Sequence, residues 1–209
     1  MQKLIRLVVI HISAVVCGSL LVTALAVAPP TEVTDDCDAC HGENGISTES
    51  DVPTIGGESA FVIEDDMFSF RNGERPCRKS TYRSGDTTRP VTDMCVIVQG
   101  LSENEIIEFA EYYAALEFVP AVQEFDSEMA AAGEKIHLTQ CARCHADGGT
   151  NGNNGASVLG GQWIPYLEQA FADYASGERE AVLENMQRKM VALDAASTAA
   201  LIQYYASQQ

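Results

Sequence analysis

Cys37, Cys40 and His41 form a C-x-x-C-H motif, and Cys141, Cys144 and His145 form a second. Two thiols spaced by two residues can each add to a vinyl group of one haem. The histidine that follows then lies beneath the iron as its proximal ligand. A shuffled chain of this composition would contain about 0.004 such motifs, so two copies are not an accident. A redox-active C-x-x-C or a zinc site sharing ligands between the copies uses the same residue types. Neither explains the adjacent histidine.

A histidine-bound iron takes its second axial ligand from the protein or leaves that side open, and a thioether there suits an electron carrier. The candidates come from an internal repeat. The motifs lie 104 residues apart, and the same offset places Ile55, Gly56 and Gly57 on Leu159, Gly160 and Gly161, and Gly73, Glu74 and Arg75 on Gly177, Glu178 and Arg179. From Met94 onward the offset is 92, which pairs Met94 with Met186, Leu101 with Leu193, and Tyr112, Tyr113 and Ala114 with Tyr204, Tyr205 and Ala206. The first copy therefore carries 12 extra residues between Pro76 and Asp93. Met94 and Met186 are the predicted axial ligands. Met190, opposite Val98, is the rival to Met186, and Met67, opposite Phe171, is expected to be core filler.

The elements that must hold these groups read as helices and loops. One helix leads into each motif, over residues 127–140 in the second copy. Another spans 59–72 and 163–176, each ending at a glycine suited to a helix C-terminus. Ser102 with Glu105 has the form of a capping box, after which Ile106, Phe109, Ala110 and Tyr113 share one face. The counterpart helix starts near Asp194. The predicted fold class is all-α: two tandem domains, 27–116 and 127–209, each wrapped around one covalently bound haem, with a linker at 117–126 containing Pro120.

Lys3 and Arg6 precede an apolar run that ends at Ala24, Leu25 and Ala26, so residues 1–26 read as a signal peptide cleaved after Ala26. Cys17 goes with it. The other reading is an uncleaved membrane anchor, the only route to membrane association. Cleavage leaves 11 basic against 30 acidic side chains, a charge of −19 in place of −17. So acidic a chain is not a binder of nucleic acid and would favour a basic partner at the encounter step. Export to the periplasm provides an oxidising compartment. Cys77 and Cys95 have no counterparts and bracket the insertion, which carries Arg78, Lys79, Arg83 and Arg89 with Arg75 just before it. A disulfide closing this loop is expected, the other reading being two buried thiols. His137, opposite Val33, reads as a surface residue.

The arrangement resembles the dihaem class I cytochromes c of the cytochrome c4 group and, more closely, the cytochrome subunit of flavocytochrome c sulfide dehydrogenase. Three stretches carry the likeness beyond the haem motifs: Phe125 and Asp126 leading to Gly133, Glu134, Lys135, Ile136 and His137; residues 159–167, including Trp163 and Tyr166; and the closing run from Tyr204 and Tyr205 to Gln209. The resemblance implies that Pro53, in a Pro-x-Leu-x-Gly-like stretch, offers its carbonyl to the proximal histidine, a role in which Ser157 replaces proline in the second copy. It places Trp163 and Tyr166 at a haem edge reaching a propionate, or leaves them as core aromatics. It implies an electron-transfer subunit without catalysis of its own, receiving electrons from a flavoprotein (FAD) partner and passing them to a small soluble cytochrome. A free c4-like shuttle to a terminal oxidase and a dihaem thiosulfate dehydrogenase are the other functions consistent with the motifs, Cys95 beside Met94 keeping the latter open.

Overall fold

The computed structural model describes residues 34–152 and 155–209, so the signal-peptide reading of residues 1–26 and the fate of Cys17 lie outside them. Among the described residues there is no strand, only an isolated antiparallel bridge between Ser80 and Thr92. The helices follow the repeat. Those of the N-terminal half are α1 Thr34–His41, α2 Ala60–Asn72, α3 Met94–Gln99 and α4 Glu103–Ala114; α5 Ser127–Ile136, α6 Ile164–Ser176, α7 Glu184–Ala192 and α8 Ala195–Ala206 follow. Among the described residues the chain is all-α, in two halves with the same helix order.

Local chemistry sets most helix ends. Ser102 accepts from the Glu105 amide while the Glu105 carboxylate accepts from the Ser102 amide, closing the capping box that starts α4. Asp93, Asp126 and Asp194 cap α3, α5 and α8 with their side chains. Helices α2 and α6 end at Gly73 and Gly177, both in the left-handed conformation.

Each half buries its own core, and the two cores share six positions. Ile63, Met67, Val98, Phe109, Ala110 and Tyr113 in the first correspond to Leu167, Phe171, Met190, Leu201, Ile202 and Tyr205 in the second. In the second half α5 crosses α8 at Gly133, where an added Cβ would stand 2.0 Å from the Ala200 carbonyl oxygen. Only glycine permits that approach, which fixes the helix carrying the second motif against the terminal helix. The helical ladder loosens just before the motif, where His137–Cys141 form a π turn.

The segment 117–126 has no helix and runs over the seam between the halves. Its Ala121 amide donates to the Gly161 carbonyl, and Gln123 bonds both the Gln162 carbonyl and the Ile164 amide. Cys77 and Cys95 are joined, with Cα atoms 5.8 Å apart. A cross-link over such a loop is worth about 3 kcal/mol in the chain-entropy account.

Candidate haem sites

The last turn of α1 presents Cys37, Cys40 and His41 to a cavity of about 350 Å³ that Met94 also lines. The wall between them is largely apolar, with Ile63, Met67, Phe70 and Phe109 contributing. His41 Nδ1 donates to the Pro53 carbonyl at 2.9 Å, which leaves Nε2 as the unprotonated nitrogen. Burial holds its pKa below the ordinary histidine value, so the ring is neutral, as a metal ligand must be. Thiols, imidazole and thioether around one apolar cavity fit a covalently bound haem.

Met94 opens α3, and the insertion fixes that helix start. Asp93 accepts the Val96 amide with one oxygen and pairs with Lys79 through the other at 2.5 Å, while Cys95 is tied to Cys77. The cationic side chains of the insertion do not form an open basic surface. Arg78 forks onto Asp173 at 2.5 and 2.7 Å, Arg83 reaches Glu49 and Asp51, and Arg89 pairs with Asp36. The main chain follows the same course: the Arg83 and Ser84 amides donate to the Ala39 carbonyl inside the first motif, and Cys40 Sγ lies 3.7 Å from the Thr81 carbonyl. The insertion is a strap across its own half's motif and onto α6 of the other half.

In the second half His145 Nδ1 donates to the Ser157 carbonyl at 3.0 Å, and burial again lowers the imidazole pKa. The missing proline therefore costs the hydrogen bond nothing: it uses a backbone carbonyl, which every residue has. Cys141 and Met186 both pack against the C-terminal core. Met190 is itself a buried member of that core, in the place Val98 fills in the first half, and Met67 and Phe171 are equivalent core residues. Met186 and Met190 lie four residues apart on the same face of α7, Met190 buried within the core and Met186 partly buried against it.

Both aromatics of the 159–167 stretch reach the N-terminal half. Trp163 Nε1 donates to the Ser47 carbonyl of the N-terminal half at 3.0 Å, so its polar atom is engaged across the seam. Tyr166 lines the first half's cavity although it belongs to the second, and its amide donates to the Ser50 carbonyl. His137 is not a surface residue. It is 1% exposed, with Nδ1 3.1 Å from the Tyr205 hydroxyl and its ring against Tyr204 and Tyr205. Its place four residues before Cys141, on the inner face of the helix entering the motif, was the available signal.

The seam itself was not foreseen. Asp66 accepts from Arg75 at 2.6 Å and, across the seam, from Arg179 at 2.5 Å, and both guanidinium groups are nearly buried. Burial alone would raise the Asp66 pKa, but the charges of Arg75 and Arg179 hold it below the usual carboxylate range.

Residues 128–204 match the family model described as cytochrome c oxidase, cbb3-type, subunit III. The chain is 26% identical over 166 residues to cytochrome c4 of Azotobacter vinelandii, covering 75% of each protein. It is 32% identical over 81 residues to cytochrome c-554(548) of Halomonas halodenitrificans, covering 39% of this chain and 84% of that one. Its fold matches reduced recombinant cytochrome c4 from Pseudomonas stutzeri with a TM-score of 0.67 at 24% identity, covering 83% of this chain and 94% of the other. With two C-x-x-C-H motifs, each histidine backed by a carbonyl, the chain belongs to the c-type cytochromes, is similar to the dihaem cytochromes c4, and binds two covalent c-type haems.

Proposed function

We propose that the protein is a periplasmic c4-like shuttle carrying single electrons between other redox proteins, with His41 and Met94 as axial ligands of the N-terminal haem and His145 and Met186 of the C-terminal one. The haems supply one-electron exchange between ferric and ferrous iron. The residues of the chain orient the ligand rings, exclude water and set the local charge. The observation that carries this reading is the repetition of one ligand set: a neutral buried histidine locked by a carbonyl, with a methionine at the equivalent position of the following helix. Saturated irons favour outer-sphere electron transfer over substrate chemistry.

The role of haem subunit to a sulfide-oxidising flavoprotein draws less support. The stretch 159–167, which carried that resemblance, is occupied in joining the two halves: Gln162, Trp163 and Tyr166 all bond residues of the N-terminal half. Any tandem pair needs such a seam, whether or not a flavoprotein binds. The cysteine-ligated enzyme reading weakens likewise, because Cys95 is tied to Cys77.

The test mixes the holoprotein with a reduced small basic cytochrome c, then separately with sulfide and with thiosulfate. The shuttle reading expects rapid uptake of two electrons per chain from the cytochrome and no sustained turnover with either sulfur compound. Catalytic turnover with sulfide or thiosulfate in the absence of any flavoprotein would overturn it.

A further inference from the structure

The peptide unit joining Ser157 to Val158 is engaged at both ends. Its carbonyl accepts from His145 Nδ1, and its N–H donates to the Glu58 carboxyl oxygens at 2.9 and 3.1 Å. Glu58 belongs to the N-terminal half. The unit joining Pro53 to Thr54 has the mirror arrangement: its carbonyl accepts from His41 Nδ1, and its N–H donates to Gln162 Oε1 at 3.0 Å. Gln162 belongs to the C-terminal half. Residues 58 and 162 are themselves repeat equivalents, 104 apart. Each half thus reaches across the seam to the peptide that orients the other half's histidine.

We propose that Glu58 and Gln162 are positioning residues that tune the proximal histidines in trans, the Glu58 carboxyl once ionised lowering the potential of the C-terminal haem relative to the effect of the amide on the N-terminal one. A hydrogen bond from an amide N–H to a carboxylate is stronger than one to a neutral oxygen. It polarises the peptide and makes the carbonyl at the other end a better acceptor. A better acceptor draws on the Nδ1 proton, raises the basicity of the imidazole and stabilises ferric iron. Gln162 cannot do this to the same degree. Its Oε1 is neutral, and its Nε2 donates to the Thr54 carbonyl at 2.7 Å, clamping the residue from both sides. Both side chains are buried, so solvent does not wash out the difference.

The same contact gives the C-terminal haem a pH response. Burial pushes the Glu58 carboxyl up to about 8, against the Ser59 and Val158 amides that favour its charged form. Asp66 on α2 raises it further, and Arg179, from the segment before α7, lowers it. As pH rises through that value the carboxylate gains its charge, ferric iron is favoured, and the potential of the C-terminal haem falls.

The inference rests on His41 and His145 being the proximal ligands, as proposed above. The test is potentiometric titration of the holoprotein from pH 6 to 9, with the two haems resolved by NMR, for wild type, Glu58→Gln and Gln162→Glu. At pH 9 Glu58→Gln should shift the C-terminal haem toward the reduced form by up to about tenfold, ~59 mV for a one-electron couple, and flatten its pH slope. Gln162→Glu should lower the N-terminal haem and make its potential fall more steeply with pH than in wild type. Glu58 lines the first half's cavity, so a plain through-space effect would move the N-terminal haem more than the C-terminal one. That result, or an unmoved C-terminal haem in a variant whose near-infrared ligand bands are intact, overturns the proposal. Loss of those bands already in wild type would instead fail the ligand assignment.

Discussion

Met186→Ala is expected to remove one of two near-infrared sulfur-to-iron charge-transfer bands of the ferric protein, while Met190→Ala leaves both. The two residues share one helix and stand four apart, so composition and helical position do not separate them. Packing does. Met190 is 8% exposed and occupies the core site of Val98, which no ligand could occupy in the first half, whereas Met186 corresponds to Met94 at the cavity wall. Met190→Ala should appear as a stability loss of about 2–5 kcal/mol, the usual cost of emptying a buried methionine site, measured by chemical denaturation with the spectrum unchanged. Disappearance of a band in Met190→Ala would reverse the assignment in the second domain.

Asp66→Ala is expected to cost about 3–5 kcal/mol, because it leaves Arg75 and Arg179 buried without their anionic partner. Since Arg179 comes from the other half, the loss should fall on the seam as well as on the N-terminal core. The sign with pH follows from the depressed Asp66 pKa: the stabilisation is complete above the unfolded-state value and disappears as pH falls through the folded-state value. Denaturant titrations of wild type and variant should therefore converge in strong acid and diverge toward neutrality. A constant difference across that range would mean that the charge of Asp66 contributes nothing.

Local and repetitive features were legible in the sequence. The capping box at Ser102, the glycine stops of α2 and α6, and the buried stripe from Ile106 to Tyr113 each depend on a few neighbouring residues, and each is present. The repeat also pairs Met94 with Met186, and Met94 stands in the wall of the first cavity. The seam escaped notice because its partners, Thr54 and Gln162 or Glu58 and Val158, lie 100 or more residues apart and have no pattern of their own. His137 was misread for a related reason: a polar residue looks exposed until its partner, here the Tyr205 hydroxyl, is brought beside it by folding. The basic residues of the insertion have no assigned partners in the sequence, and only the fold shows its arginines turned onto the chain's own carboxylates.

Carbon monoxide binding to the fully reduced holoprotein tests the central claim, that both irons carry a histidine and a methionine. If His41 and Met94, and His145 and Met186, hold both faces as proposed, no coordination position is open, and the reduced Soret and α bands should not change at neutral pH under saturating carbon monoxide. A shift of the Soret band amounting to one haem per chain, saturating at micromolar gas, would show an open or labile iron and contradict the account.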